Sequence, residues 1–290
     1  MNWLFLAIAT AFFESIKDIF SKRSLRDVDS VAVAFFMIFF TAIFLLPVLF
    51  FIPFPEIGDR FWLALAGSGI INAIAWCLLM KAIQISELSR VIPLTSLTPA
   101  FLLITAPLIV REFPNVMGVI GVFLIVLGTY ILNLGKDKRR NFFAPFVSLW
   151  RDRGSKLALC VAFIWSLSGN FDKIGLQNSS PLFWITCDAA IISLLLLPFV
   201  LLRFQKIKRQ LKQNWGSLMA MGLFNALTVG CQMTALSLTL IVYVVSIKRT
   251  STILSVFWGS LIFREKGLQE RLLGTTIMVL GVFAIAFSGR

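Results

Sequence analysis

The chain has 290 residues, of which 58% are hydrophobic and 14% charged, and its mean hydropathy is +0.89. A soluble domain carries about 25% charged residues, so this composition excludes an ordinary soluble protein. The formal net charge of +13 requires an account of where the basic residues lie before any polyanion is considered as a partner.

Ten apolar stretches predict ten membrane-spanning helices, because each approaches the roughly 20 residues that a helix needs to cross a hydrocarbon core. Pro93, Pro99 and Pro107 predict kinks in the fourth of them. The first stretch begins at Trp3 without a preceding basic region, so we expect a permanent span rather than a signal peptide. In chain order the predicted spans are 3–22, 30–52, 61–83, 90–110, 115–134, 156–176, 181–203, 216–237, 240–263 and 268–288.

The two halves of the sequence are similar when one is shifted by 153 residues. This predicts a first five-helix repeat at 1–134, a basic linker at 135–155 and a second five-helix repeat at 156–290. Because five is odd, the second repeat enters the membrane from the opposite side. The expected fold is all-α, with ten transmembrane helices forming two inverted repeats around a central cavity. The matched pairs include Asn72 with Asn225, Arg111-Glu112 with Arg264-Glu265, Gly121 with Gly274, and Gly128 with Gly281.

The basic residues fall mainly on one side of these spans. Twenty of the 27 Lys and Arg residues lie there, and three lie on the other side. Since short-loop Lys/Arg bias marks the cytoplasmic side, we predict a multi-pass protein of the cell (inner) membrane with both termini outside. The expected partners are the lipid bilayer and a small-molecule solute, without nucleic acid. The oligomeric state stays open, and a monomer is compatible with the sequence.

Motifs typical of enzymatic or metal chemistry are missing from the sequence. The chain has no histidine, its four cysteines lie in apolar stretches without C-x-x-C spacing, and no G-x-x-x-x-G-K-[ST] loop is present. We therefore expect no catalytic residues, no metal, no cofactor and no enzymatic activity.

Eight ionisable side chains fall within the predicted spans, where each costs about 2.5–3.5 kcal/mol and is expected to face a cavity or a partner. They are Glu14, Lys17, Asp18, Asp172, Lys173, Asp188, Lys248 and Arg249. Glu14 and Lys248 lie at similar depths in the first and ninth spans, at a rise of about 1.5 Å per residue. The predicted substrate-binding residues are Lys248, Arg249, Glu14, Asp18, Lys17, Asn72, Asn225, Trp76, Trp165 and Tyr243.

Two roles are open for the charged residues of the first and ninth spans. Either Lys248 and Arg249 receive an anionic group, with Glu14 and Asp18 holding them when no solute is bound, or the same residues form a permanent ion pair. A third hypothesis makes Glu14 a proton carrier in an exporter of cationic or amphiphilic compounds. Asn72 and Asn225 fit either interhelical hydrogen bonds or cavity lining.

The duplicated Arg-Glu after the fourth and ninth spans is followed in each half by Gly-x6-Gly in the next span. With these motifs the chain resembles a ten-helix EamA-type member of the drug/metabolite transporter superfamily. The resemblance implies a ring of helices around a central cavity and export or exchange of amino acids, metabolites, nucleotide sugars or sugar phosphates. It also implies cytoplasmic termini, whereas the charge bias predicts the reverse, and we follow the bias.

A second resemblance is local. The segment Ser246-Ile247-Lys248-Arg249-Thr250-Ser251, with Ser255-Val256 and Phe263-Arg264 after it, is similar to the ninth helix of plastid triose-phosphate translocators. In that family a Lys-Arg pair binds the substrate phosphate, which implies this role for Lys248 and Arg249. The family's additional lysine in the fourth helix has no counterpart within Val91–Val110. We predict a secondary transporter, exporting or exchanging a small polar metabolite with an anionic group by alternating access.

Overall fold

The computed structural model describes residues 2–25, 27–86, 91, 94–133, 152–254 and 268–288, and their regular structure is helical. Several sequence predictions lie outside these residues: most of the basic linker (135–151), Pro93, Ser255-Val256, Phe263, and the second Arg264-Glu265 motif. The helices are α1 Asn2–Ser24, α2 Ser30–Leu45 with a 3₁₀ turn at Leu46–Phe50, α3 Phe61–Ile85, α4 Thr98–Ile109, α5 Val116–Asn133, α6 Arg153–Gln177, α7 Pro181–Leu201, α8 Phe204–Leu238, α9 Ile241–Lys248 and α10 Leu268–Ser288.

Among the described residues, five helical segments are long and apolar enough to cross a membrane by length and composition. They are Ser30–Phe50, Phe61–Ile85, Arg153–Gln177, Pro181–Leu201 and Gln210–Leu238. Large apolar side chains such as Leu63 and Leu108 are more than two-thirds exposed on the outside of the bundle. An apolar exterior of this kind is suited to lipid rather than water.

Capping residues fix where two of the helices begin. The Asp29 carboxylate accepts hydrogen bonds from the backbone N–H groups of Val31 and Ala32, and Asp152 accepts one from the Ser155 N–H at 2.8 Å. Each carboxylate satisfies a donor that the first helical turn leaves unpaired. Helix α7 begins instead with Pro181, whose missing N–H costs nothing at this position.

Three predicted spans need correction. The ninth is not continuous over 240–263, because α9 ends at Lys248 and a turn at Arg249–Thr250 separates it from a helical segment at 251–254. The fourth span also contains a turn, at 96–97, before α4 begins. Helix α8 begins at Phe204 rather than at 216, because its basic first turns continue the helix beyond the apolar segment.

Helix packing repeats when each helix is exchanged for the helix five positions along the chain. Helix α1 packs on α8 as α6 packs on α3, α2 packs on α8 as α7 packs on α3, and α1 packs on α9 as α6 packs on α4. Helices α5 and α10 pack on each other through glycines. A Cβ atom on Gly121 would lie 2.8 Å from the Gly281 carbonyl oxygen, and one on Gly128 would lie 2.7 Å from that of Gly274.

Helices α3 and α6 run antiparallel to each other. The Gly58 N–H, just before α3, donates to the Asn178 carbonyl just after α6, at 3.0 Å. At the opposite end the Ser86 hydroxyl donates to the carboxylate of Asp152. Since α6 opens the second half of the chain, this direction is the one that an inverted repeat requires.

Candidate functional site

The turns that interrupt the chain before α4 and after α9 share two backbone hydrogen bonds at equivalent positions. A shift of 153 residues superimposes the two turns and aligns Thr95 and Ser96 with Lys248 and Arg249. Interrupted helices at corresponding positions of two repeats indicate a solute site in transporters. The matching bonds are Leu97 N to Leu94 O (3.2 Å) with Thr250 N to Ile247 O (2.9 Å), and Ala100 N to Leu97 O (2.9 Å) with Ile253 N to Thr250 O (2.9 Å).

Charged residues of α1 meet Lys248 beside this turn. Lys17 Nζ lies 2.7 Å from Glu14 Oε1 and 3.5 Å from Asp18 Oδ1, and Lys248 Nζ lies 3.7 Å from Glu14 Oε2. The structure thus brings Glu14 and Lys248 together as the sequence predicted. The closest partner of Glu14 is nevertheless Lys17, one turn along the same helix. Lys248 also donates to Gln232 Oε1 at 2.9 Å.

Arg249 has no carboxylate partner among the described residues. Its Nη2 donates to Thr98 Oγ1 at 3.0 Å, which joins the turn after α9 to the first residue of α4. Its guanidinium lies 5.9 Å from the ring centre of Trp165. The Nε atom is buried and has no hydrogen-bond partner in the part of the chain that the structure describes. A buried N–H without an acceptor costs about 1–3 kcal/mol, so this donor is a position where a ligand oxygen would be stabilised.

Two tryptophans lie between the cations. Lys17 Nζ lies 5.9 Å from the ring centre of Trp76, and the Trp76 and Trp165 rings meet edge to face with centroids 5.5 Å apart. Each ring therefore faces one cation and contacts the other ring. This contact joins α3 to α6 and favours positive charge beside both rings.

Positive charge exceeds negative charge in this group, which we call the charged cluster: Glu14, Lys17, Asp18, Lys248 and Arg249. Two carboxylates face three cations, so one positive charge is left uncompensated. Outside this group, the Asp172 carboxylate interacts electrostatically with Lys248. An excess cation is costly in a desolvated site, and an anionic ligand would remove that cost.

Three predicted site residues lie elsewhere in the structure. Asn225 donates to Thr41 Oγ1 at 2.9 Å and so joins α8 to α2. Tyr243 stacks on Trp3 with ring centroids 6.4 Å apart and contacts Gly118. Asn72 donates to Ser68 Oγ at 3.1 Å, within a separate polar cluster.

Sequence reasoning missed the polar neighbours Gln232 and Thr98. Both are uncharged. The sequence signal that reveals such residues is a polar side chain within an apolar helix, at the same depth as a charged side chain of the site. Sequence reasoning also left Lys173 and Glu112 unpaired, whereas their side chains meet at 2.8 Å.

Glu112 and Lys173 join the end of α8 to the start of α9. Glu112 Oε2 accepts a hydrogen bond from the Ile241 N–H at the start of α9, at 2.8 Å. Lys173 Nζ donates to the carbonyls of Leu236 and Thr239 at the end of α8, at 2.6 and 2.7 Å. The Glu of the Arg-Glu motif therefore fixes the position at which α9 enters the bundle.

Comparison with known proteins gives three findings. The model of the EamA-like transporter family matches residues 1–134 and 152–287. A Sinorhizobium sp protein, named as an uncharacterized transporter in the cobO 3' region, is 27% identical over 138 residues, 45% of this chain and 96% of that protein. A protein of known crystal structure matches 98% of this chain and 96% of its own, with a TM-score of 0.74 and 11% identity. At that identity the likeness is one of fold alone.

Proposed function

Because the chain belongs to the EamA-like transporter family, we propose that it is a secondary transporter for a small polar solute bearing an anionic group. Family membership and the relative named as a transporter confirm the resemblance found in the sequence, and they identify a membrane transporter rather than an enzyme. The solute class, the binding residues and the alternating-access mechanism are our proposal.

The proposed architecture is a pair of inverted five-helix repeats, residues 1–134 and 156–290. Three observations support it: the packing pattern that repeats on exchange of halves, the antiparallel direction of α3 and α6, and the equivalent turns before α4 and after α9. Alternating access then amounts to movement of one repeat against the other about the site between them.

The proposal of an anionic solute rests on one observation, the surroundings of Arg249. Its buried Nε has no hydrogen-bond partner, and the charged cluster around it has one cation more than it has carboxylates. A guanidinium presents donors in a planar fork that matches the oxygens of a carboxylate or phosphate. Thr98 accepts from Nη2 on one side of this fork, and the buried Nε is available to a solute.

The other two hypotheses account for less of this geometry. A permanent ion pair between α1 and α9 explains the contact of Lys248 with Glu14, but it leaves Arg249 without a role. Glu14 lies between Lys17 and Lys248, and two neighbouring cations favour its ionised form, which opposes a role as proton carrier. Both hypotheses remain predictions from the sequence.

The proposed location is the cell (inner) membrane, with the basic loops in the cytoplasm and both termini outside. The long α8 supports this orientation, because its first turns, from Phe204 to Lys212, extend beyond the apolar segment and are rich in Lys. Basic residues next to a span are retained on the cytoplasmic side.

A thermal-shift screen of the purified chain tests the proposed solute class. Phosphorylated, carboxylated and cationic metabolites are added separately to wild type, to Arg249→Gln and to Arg60→Gln, a matched change at an exposed arginine. We expect an anionic class to raise the melting temperature of wild type and Arg60→Gln but not of Arg249→Gln. Stabilisation by cationic compounds alone, or equal stabilisation of Arg249→Gln, would contradict the proposal.

A further inference from the structure

A second buried polar cluster lies between α3, α6 and α7, and it contains two aspartates. Asp172 and Asp188 are 7% and 3% exposed. The Ser68 hydroxyl donates to Asp172 Oδ1 at 3.0 Å, and Trp184 Nε1 donates to the same oxygen at 3.2 Å. Asn72 completes the cluster by donating to Ser68 Oγ at 3.1 Å.

Asp188 is the unsatisfied member of this cluster. Its Oδ1 is buried and accepts no hydrogen bond from the described residues, although the side chain lies within hydrogen-bonding reach of the Ser68 hydroxyl and interacts electrostatically with Asp172. Among the described residues neither aspartate forms an ion pair. The adjacent Lys173 does not compensate them, because it is directed to Glu112 and to two backbone carbonyls.

The charges around the two aspartates come from few neighbours. From α9, Lys248 interacts electrostatically with Asp172, and from α7, Cys187 does so with Asp188. Helices α2 and α4 contain no ionisable side chain. The ionisable residues of α3 are Cys77, which interacts electrostatically with Arg203 at one end of the bundle, and Lys81, which donates a hydrogen bond to Gln84. Those of α8 are Cys231 and the basic residues of its first turns.

Two ionised carboxylates in this position would be costly. Each loses its hydration on burial, and the two negative charges repel each other. A proton on one carboxylate removes half of the charge and supplies an O–H donor to a group that lacks a hydrogen bond. The donors from Ser68 and Trp184 favour Asp172 as the ionised member and Asp188 as the protonated one.

We propose that Asp172 and Asp188 form a proton-binding site that holds one proton and couples solute movement to proton movement. The inference rests on the proposed function and names its coupling ion. The proton adds to a carboxylate oxygen to give a carboxylic acid, and it returns to water when the site opens. No other bond changes.

Lys248 connects this site to the charged cluster. When Lys248 is unliganded, its charge stabilises ionised Asp172. An anionic group bound at Lys248 and Arg249 offsets that charge, and protonation of the aspartate pair then becomes more favourable. By linkage, a proton on the pair strengthens anion binding by the same factor. Anion and proton are therefore expected to move together.

Infrared difference spectroscopy of the full chain in lipid nanodiscs tests the site without a known solute. The samples are wild type, Asp188→Asn, Asp172→Asn, and Asp59→Asn as a matched change at an exposed aspartate. In sodium-free buffer at neutral pH we expect a carboxylic acid C=O band in wild type and Asp59→Asn. We expect it to be lost in Asp188→Asn, where the remaining Asp172 keeps its hydrogen bonds and the field of Lys248.

Three results would overturn the proton site. They are the absence of the acid band from wild type at neutral pH, its persistence in both Asp188→Asn and Asp172→Asn, and its loss when Na⁺ replaces choline at constant pH. The last result would identify a sodium site. The band of the wild-type protein tests the proton site even if a variant fails to fold. A band without anion transport refutes the proposed function alone, and anion transport without a band refutes the proton site alone.

Discussion

Arg249 and Lys248 are adjacent in sequence but have different surroundings. Lys248 contacts Glu14 and donates to Gln232, so its charge and one donor are already engaged. Arg249 contacts a hydroxyl and an aromatic ring and keeps a buried donor free. Because lysine is a point charge and arginine a planar fork, the two are expected to contribute differently to an anion site. In the proposed site we expect Arg249 to fix the orientation of the anionic group and Lys248 to add charge.

Asp152 gives a residue-scale prediction for stability. Burial alone would raise the pKa of this carboxyl, but hydrogen bonds from Ser86, from the Ser155 hydroxyl and from backbone N–H groups hold the pKa below its ordinary value. Asp152→Ala removes the cap of α6 and the contact with α3, and we expect a loss of about 1 kcal/mol. Asp152→Asn keeps a capping oxygen and is expected to lose less.

The stabilisation by Asp152 depends on pH in a defined direction. Because its folded-state pKa is lowered, the ionised carboxylate stabilises the fold above the unfolded-state pKa, and this contribution is lost as pH falls through the folded-state value. The difference in melting temperature between wild type and Asp152→Asn should therefore shrink in acid, below about pH 4. A difference that stays constant from neutral to acidic pH would contradict this explanation.

The sequence predicted part of the site, and the missing part has a physical reason. An ionisable residue in an apolar helix is visible in the sequence because of its insertion cost, so Glu14, Lys17, Lys248 and Arg249 were all found. Pairing within the cluster was less predictable, because Lys17 and Lys248 both reach Glu14 and only side-chain geometry decides the distance. Of the two roles that the sequence left open for Asn225, the structure shows the interhelical hydrogen bond, to Thr41; a polar side chain satisfied in this way looks the same in sequence as one that lines a cavity.

At the scale of helices, most of the fold followed from apolar runs bounded by charges and turn residues. The turn after Lys248 was missed, because apolar residues flank the polar segment 248–252 on both sides and no proline within 240–263 marks a break. The turn before Thr98 had a clearer signal, since Pro99 lies beside it and begins helices well. Correspondence of the two turns emerged only when their backbone hydrogen bonds were compared.

The contact between α5 and α10 gives an element-scale prediction. A Cβ atom on Gly128 would lie 2.5 Å from Met278 Cγ and 2.7 Å from the Gly274 carbonyl oxygen, whereas one on Gly216 has no heavy atom within 4 Å. Gly128→Ala must separate the two helices, and we expect a cost of about 1–3 kcal/mol. Gly216→Ala is the matched control, and helix propensity alone favours it by up to about 1 kcal/mol.

Thermal unfolding of the two glycine variants in the same detergent measures the difference. The expected order of melting temperature is Gly128→Ala lowest, then wild type, with Gly216→Ala equal to wild type or above it. If Gly128→Ala has the same melting temperature as wild type, then the packing of α5 on α10 does not depend on backbone contact at this position.

For the whole molecule, the helix scaffold is symmetric and the charge is not. The two turns have the same backbone, yet one carries Thr95 and Ser96 and the other carries Lys248 and Arg249. Likewise the unpaired aspartates Asp172 and Asp188 belong to the second half alone. A symmetric scaffold suits the proposed alternating-access mechanism, which needs two states of similar energy, and we expect the asymmetric charges to give the site its preference for one kind of solute.

The orientation in the membrane gives a prediction at this scale. A single cysteine is introduced by Asp59→Cys or by Lys208→Cys in a chain whose four native cysteines are replaced by alanine. We expect a membrane-impermeant maleimide to label the Asp59→Cys protein in intact cells and the Lys208→Cys protein only after lysis. The opposite pattern would place the termini in the cytoplasm and refute the orientation drawn from the charge bias.

Exchange of labelled anionic solute in proteoliposomes tests the central claim, anion binding at Arg249, most directly. Counterflow is measured for wild type, Arg249→Gln and Arg60→Gln at equal amounts of folded protein. The account predicts exchange by wild type and Arg60→Gln, and a loss of at least about tenfold in Arg249→Gln, equivalent to about 1.4 kcal/mol of lost interaction. Undiminished exchange by Arg249→Gln would contradict it.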